Sequence, residues 1–246
     1  MPEKHYIEQV EYAKTYLIPY FKKHIPDFKN LKILEIGCAE AGTLKLLKED
    51  GHEVTGIELN KSRIETALKN NPDLDIRQGD ISSLYIVDEL NDTFDLIIMR
   101  EVIEHIPNKG ATFYNISRLL KKGGYLFISF PPKFSPFAGH QQVGKSILRK
   151  TPYIHLFPTF LLKILLKVIN ENKGYLEHLK LHYSTGMSIS KFEMLSGKVG
   201  LEQVIKDFYL FRPIYKLRFG TKVRKLPNIL LLREFITLGY EGLLKK

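Results

Sequence analysis

The 246 residues carry no repeat, no low-complexity tract and no composition break that would mark a second domain, which leaves one domain (1–246) able to bury a sizeable core. Cys38 is the only cysteine, which excludes an intrachain disulfide, and Met1-Pro2-Glu3-Lys4-His5-Tyr6 lacks the apolar run of a secretory leader, so a reducing, cytoplasmic setting is expected. The formal charge of +10 is uneven: residues 133–185 hold 8 basic and 2 acidic side chains, residues 212–246 hold 9 and 2, and the remainder is at −3. Such asymmetry is either a pair of lysine-rich solvated faces or a surface for an anionic substrate, an anionic membrane or a nucleic acid.

In chain order, residues 6–24 have the period of an amphipathic helix, with Tyr12, Tyr16 and Tyr20 at four-residue spacing. Strands are predicted near 31–36, 53–58, 74–77, 94–99 and 124–130, with helices between them, the alternation of a parallel sheet covered on both faces. The first strand opens into Gly37-Cys38-Ala39-Glu40-Ala41-Gly42, the second ends in Glu58, and the third runs into Gly79-Asp80-Ile81. Small residues let the backbone approach a ligand, and a carboxylate about 20 residues further on can accept hydrogen bonds from two ribose hydroxyls, so the pattern builds a pocket for an adenosine. A pyrophosphate is disfavoured, because Ala39 replaces the middle glycine of a dinucleotide turn and Glu35 would repel the phosphates. A ligand with an ammonium and a sulfonium suits that acid, which selects S-adenosylmethionine.

From Ile33 to Gly42 the chain resembles the class I S-adenosylmethionine-dependent methyltransferases, whose first motif reads roughly acid, apolar, Gly, x, Gly, x, Gly; Ala39 and Ala41 stand where glycines are common. Two later runs are similar to further motifs of that family, in the same order: Thr93 to Pro107, where a strand leads into Arg100-Glu101-Val102, and Leu119 to Ser129, read as a helix end, a Gly123-Gly124 turn and a strand. The resemblance implies an α/β fold with a seven-stranded, mostly parallel sheet, helices on both faces and a helical lid after the fifth strand. Residues 133–187 would then be the lid, 188–199 a helix, 201–211 a strand, 212–233 a second, basic insertion, and 234–244 a last strand lying antiparallel beside the fifth. It also implies the cofactor residues. Gly37, Cys38, Ala39 and Gly42 would surround the methionine part, Glu35 would face its ammonium and Arg100 its carboxylate. Glu58 and Leu59 would take the ribose, and Asp80 and Ile81 the adenine. A helix before the first strand closes over the cofactor in related enzymes, which makes Tyr16 a secondary candidate.

Phe130-Pro131-Pro132-Lys133-Phe134-Ser135-Pro136-Phe137-Ala138-Gly139-His140-Gln141-Gln142 breaks every period and is expected to be a loop at the carboxyl edge of the sheet, where an acceptor would meet it. Methyl transfer needs alignment of acceptor, methyl and sulfur, and a hydroxyl acceptor also needs a base, for which His140 and His105 are the candidates. Glu101, Glu104 and His105, at i, i+3 and i+4 of a helical face, look like the metal motif of ubiquinone-pathway O-methyltransferases and of small-RNA 3′-end methyltransferases. Those RNA enzymes carry a second histidine where this chain has Ile106, and Glu-His also occurs in metal-free relatives, so no metal is expected. Residues 160–169 are too short to span a bilayer, and with Lys163 and Lys167 on one face they suit a lid helix or a helix lying on lipid. The leading expectation is O-methylation of a small or lipid-linked anionic acceptor, a glycan precursor or quinone-like compound, by an enzyme that is cytoplasmic or peripheral to a membrane. An RNA methyltransferase, and a cofactor-binding protein without catalysis, are the alternatives.

Overall fold

The computed structural model describes residues 2–90, 93–171 and 174–246. Met1 of the N-terminal run, Asn91 and Asp92, and Asn172 and Lys173 of the 133–187 segment lie outside the described residues. Among the described residues eight strands form one sheet: β1 (Lys32–Ile36), β2 (Glu53–Glu58), β3 (Asp75–Gln78), β4 (Phe94–Arg100), β5 (Leu120–Phe130), β6 (Glu202–Phe211), β7 (Arg224–Leu226) and β8 (Gly239–Lys245). The helices are α1 (Pro2–Tyr12), α2 (Ile18–His24), α3 (Gly42–Glu49), α4 (Lys61–Asn70), α5 (Leu84–Leu90), α6 (Lys109–Leu119), α7 (Thr159–Val168), α8 (Tyr175–Thr185), α9 (Ile189–Lys198), α10 (Pro213–Phe219) and α11 (Leu232–Ile236).

The strand order is β3-β2-β1-β4-β5-β8-β6-β7. Strands β1 to β5 pair in parallel, and β8 enters antiparallel between β5 and β6. The expected seven strands gain an eighth because β7, only three residues long, pairs with β6 at the far edge. After β3 the chain crosses back to place β4 on the other side of β1, so the tips of β1 and β4 flank a switch point where a ligand crevice opens.

Alternation along the strands feeds two cores. Ile33, Leu96, Ile98 and Phe127 pack with α1 to α4, while Leu34, Ile97, Met99 and Ile128 pack with α5, α6 and α9. Leu148, Ile154, Leu162, Tyr175, Leu176 and Leu179 make a smaller core within the segment between β5 and α9. No helix among the described residues is long and apolar enough to cross a membrane.

Four local expectations change. The helix read over 6–24 starts earlier and is interrupted by a π turn at Ala13–Leu17, which joins α1 to α2. Gly123-Gly124 is not a turn ahead of β5 but a bulge inside it. Pairing with β4 jumps from Phe94↔Leu120 to Leu96↔Tyr125, and Gly123 takes φ +82°, open to glycine without strain. The last strand begins at Gly239 and not at Glu234, because Glu234 caps α9: its carboxylate accepts from Ile189 N at 2.9 Å and Ser190 N at 2.7 Å. Finally, Ile103–His105 is a single 3₁₀ turn, so Glu101, Glu104 and His105 do not share an α-helical face.

Candidate active site

The turn after β1 is built from three left-handed residues, Gly37 (φ +71°), Ala39 (+52°) and Ala41 (+60°). Only at Gly37 does the conformation coincide with a close approach, since an added Cβ would lie 2.3 Å from Val102 Cγ2. The alanines adopt a region that costs a residue with a Cβ about 1–2 kcal/mol, and backbone hydrogen bonds hold them there. Gly37 N and Cys38 N donate to Ile57 O at 2.8 and 3.1 Å, and Ala41 N to Cys38 O at 2.8 Å. From α1, Gln9 clamps the turn at both ends: its Nε2 donates to Cys38 O at 3.2 Å and its Oε1 accepts from Gly42 N at 3.0 Å.

Glu58, at the tip of β2, ties the second strand to this turn. Its Oε2 accepts from Ala39 N at 2.9 Å and its Oε1 from Leu59 N and Asn60 N, both at 2.9 Å. A cavity of about 770 Å³ opens above these tips. Gly37, Ala39, Glu58, Leu59, Asp80, Ile81 and Arg100 line it, and so do His105 and His140. Three expected contacts lie behind its wall. Glu35 is buried and paired with Arg100 Nη2 at 3.1 Å; Cys38 faces Gly56 of β2; and Gly42 meets the backbone of Tyr6, where a Cβ would sit 2.7 Å from Tyr6 O. Burial pushes the Cys38 thiol well above its usual range, as expected of an inert packing side chain.

The residues present fit an adenosine that bears an amino-acid tail. Arg100, which lines the cavity, keeps its Nε buried without a partner, a free donor beside the glycine turn for the acid end of that tail. Burial raises the Glu35 carboxyl, against the opposing pull of Arg100.

On the cavity lining, His105 and His140 belong to a cluster of four imidazoles. His140 and His182 stack at 4.2 Å between centroids, His105 lies 5.2 Å from His140 and 5.3 Å from His182, and His178 lies 4.3 Å from His182. Burial and the neighbouring imidazoles lower His140 to about 4 and His182 to about 3, so both are neutral at pH 7. Lys109 locks the turn that carries His105: its buried ammonium donates to Ile103 O at 2.8 Å, Ile106 O at 2.6 Å and Thr185 O.

Glu101, φ +55°, turns away from this cluster to Arg212, whose Nη1 is 2.6 Å from its Oε1. Burial alone would raise the Glu101 carboxyl, but the guanidinium overrides it and holds the group below the usual range. Glu104 is buried with neither oxygen hydrogen-bonded, His105 Nε2 lying 3.9 Å from its Oε1, and burial, then the charge of Glu101, raises it far above that range. The fold therefore brings Glu104, His105 and His140 together, with one ligand atom each within 4.8 Å of one another, in place of the trio read from spacing. A divalent cation would find its donors there.

Several cavity residues escape the sequence reading. Gln9 and Tyr12 come from α1, Arg212 and Arg218 from the chain around α10, and Glu241 from β8. One signal for Glu241 is visible, an acid set in the otherwise apolar run Tyr240-Glu241-Gly242-Leu243-Leu244. Arg212 offers none, because its entry depends on a remote glycine: a Cβ on Gly239 would fall 1.8 Å from Arg212 Cδ. Arg218 bridges the cavity mouth to Glu8 of α1 at 2.5 and 2.8 Å.

Comparison with known proteins follows the same lines. A family described as a methyltransferase domain matches residues 6–165. The chain is 32% identical over 115 residues to the ubiquinone biosynthesis O-methyltransferase of Rickettsia bellii, covering 47% of this chain and 48% of that protein. Against the protein of the same name from Rickettsia typhi the identity is 34% over 118 residues, 46% of each. The chain thus matches these curated relatives over about half of their length. Its fold is similar to that of an S-adenosylmethionine-dependent methyltransferase from Mesorhizobium loti, with a TM-score of 0.60 at 13% identity over 93% of this chain and 96% of that one. With the switch-point crevice, the glycine turn and the β2 carboxylate in that strand order, the match over residues 6–165 shows that the chain belongs to the class I methyltransferase-domain family.

Proposed function

We propose that the chain transfers the methyl group of S-adenosylmethionine to a hydroxyl of a small or lipid-linked anionic acceptor, quinone-like in the first instance. The observation that carries this is the single cavity in which Gly37, Glu58 and Asp80 face His105, His140 and Arg212. The names of the Rickettsia relatives support the quinone-like acceptor. When bound, the cofactor supplies a methyl group activated by a sulfonium. The chain's own residues do the rest: Glu58 and Asp80 hold the nucleoside, Arg100 meets the amino-acid end, and His105 and His140 orient the acceptor. In this reading residues 1–246 are one methyltransferase domain, 133–187 cover the acceptor side through His140, and 212–233 add Arg218 beside Arg212.

An acceptor carrying a lipid tail also needs a surface from which to enter. On α7, Phe160, Ile164 and Val168 are 63%, 60% and 77% exposed beside the exposed Lys163 and Lys167, and Leu230 and Leu231 are 75% and 73% exposed. Both apolar strips lie in the two segments that hold all the excess positive charge, so the occupant is an anionic membrane surface. The test is methyl transfer from labelled S-adenosylmethionine to a polyprenylated catechol, with vesicle co-sedimentation alongside. Transfer, together with binding to phosphatidylglycerol but not phosphatidylcholine vesicles, is expected. Methylation of RNA and no catechol would refute the acceptor, and indifference to vesicle charge would refute the membrane contact.

A further inference from the structure

The cavity lining also holds a carboxyl group beneath the N-terminal helices. Glu241 lies in β8, opposite Ser129 of β5 in register, and is fully buried while lining the cavity. Two tyrosines from the N-terminal helical rod aim at it. Tyr16 OH donates to Oε2 at 2.6 Å, and Tyr12 OH to Oε1 at 3.4 Å. Unlike Glu101, it has no cation within ion-pair distance among the described residues; Arg212, the nearest in effect, is spent on Glu101. Strand β8 lies two strand spacings, about 10 Å, from β4, whose tip borders the glycine turn. Glu241 thus lines the same cavity as Gly37 and Arg100.

We infer that Glu241 is the group that takes the proton of the acceptor hydroxyl, a role that rests on the O-methylation reading above. In the step, the acceptor oxygen forms a bond to the methyl carbon as the carbon–sulfur bond breaks, the electron pair of that bond passing to sulfur to leave a neutral thioether. The O–H bond breaks and its proton moves to the Glu241 carboxylate, so one sulfonium charge and one carboxylate charge are discharged together.

The protonation state supports this assignment. Burial raises the Glu241 carboxyl to about 7, against the hydrogen bond from Tyr16 and the charge of Arg212, which lower it. A base is most effective when it titrates near the working pH. The groups facing Glu241 come from every neighbouring element: Tyr12 from α1, Tyr16 from the π turn, Tyr20 from α2, Asp207 and Tyr209 from β6, and Glu101 and Arg212 from the segments after β4 and β6. Tyr16 also meets Tyr209 OH at 3.2 Å, which fixes the donor that holds the carboxylate.

The test compares wild type with Glu241→Gln and Tyr16→Phe, using transfer to a polyprenylated catechol and calorimetric binding of S-adenosylhomocysteine. Wild-type kcat is expected to rise with pH through about 7 as the carboxyl loses its proton. Glu241→Gln should lower kcat by about 10²–10³-fold and abolish that limb, with S-adenosylhomocysteine affinity unchanged as the sign of an intact fold. Tyr16→Phe removes a donor to the charged form and should move the limb to higher pH. A Glu241→Gln enzyme with the wild-type rate and limb overturns the assignment alone. A wild-type protein that binds S-adenosylhomocysteine and methylates no hydroxyl overturns the transfer reading and the base with it.

Discussion

Replacing Gly37 by alanine tests whether the glycine turn is shaped by contact or by chance. The new Cβ would sit 2.3 Å from Val102 Cγ2 at φ +71°. The left-handed backbone costs about 1–2 kcal/mol for a residue with a Cβ, and forcing a methyl into an occupied space costs about 1–3 kcal/mol more. The sum is roughly 2–5 kcal/mol, and at about 2–4 °C per kcal/mol for a chain of this size the thermal midpoint should fall by roughly 4–20 °C. S-adenosylhomocysteine affinity should fall with it, because the turn moves against the cavity. Adding Val102→Ala removes the collision but not the backbone cost, so a double-mutant cycle should return a coupling of about 1–3 kcal/mol and leave the remainder unrecovered. Calorimetric unfolding of the four proteins reads both terms. A Gly37→Ala protein that melts within about 2 °C of wild type, or a cycle with no coupling, would refute this account of the turn.

Glu58→Ala removes the acceptor of three backbone amides; hydrogen bonds to charged groups are worth about 1.5–3 kcal/mol each, so S-adenosylhomocysteine affinity measured by calorimetry should drop at least about tenfold. Lys109→Met strips the donor from the carbonyls of Ile103, Ile106 and Thr185; urea unfolding should show a loss of about 1–3 kcal/mol or more, and an unchanged midpoint would argue that the turn needs no lock. The histidine cluster sets an acid limit. Unfolded histidines titrate near 6.5, whereas His140 and His182 resist protonation to about 4 and about 3, so the unfolded chain takes up more protons as pH falls and stability should decline from about pH 6.5 towards 4. His182→Asn should flatten that decline, and identical slopes for the two proteins would show that the cluster does not govern it.

Much of the glycine-turn side of the cavity is legible in the sequence because it is local. Glycine at a left-handed, crowded position, an acid at a strand tip and a strand that is apolar on both faces each follow from sterics or from alternation within a few residues. Gly37, Glu58, Asp80 and Arg100 fall where the motif order places them, on the cavity. Glu35, Cys38 and Gly42 show the limit of that reasoning: adjacency in the turn does not say which residue reaches the cavity, and the pairing of Glu35 with Arg100, of Cys38 with Gly56 and of Gly42 with α1 keeps all three behind its wall. The trio Glu101, Glu104 and His105 fails for a similar reason, since a 3₁₀ turn and the pull of Arg212 separate residues that a helix would align.

What the sequence determined by itself is the α/β alternation, the order of the motifs and the small-residue turn, all consequences of steric and apolar periodicity along the chain. The wall of the cavity that holds His140, Arg212 and Glu241 is assembled by the fold alone. Tyr12, His140, Arg212 and Glu241 are more than 200 residues apart at the extremes, and they meet because β8 inserts between β5 and β6 and carries its carboxylate under the N-terminal helix. Hydrogen bonds and charge interactions across such separations leave no period to read, so the chemistry of that face exists only once the sheet has closed.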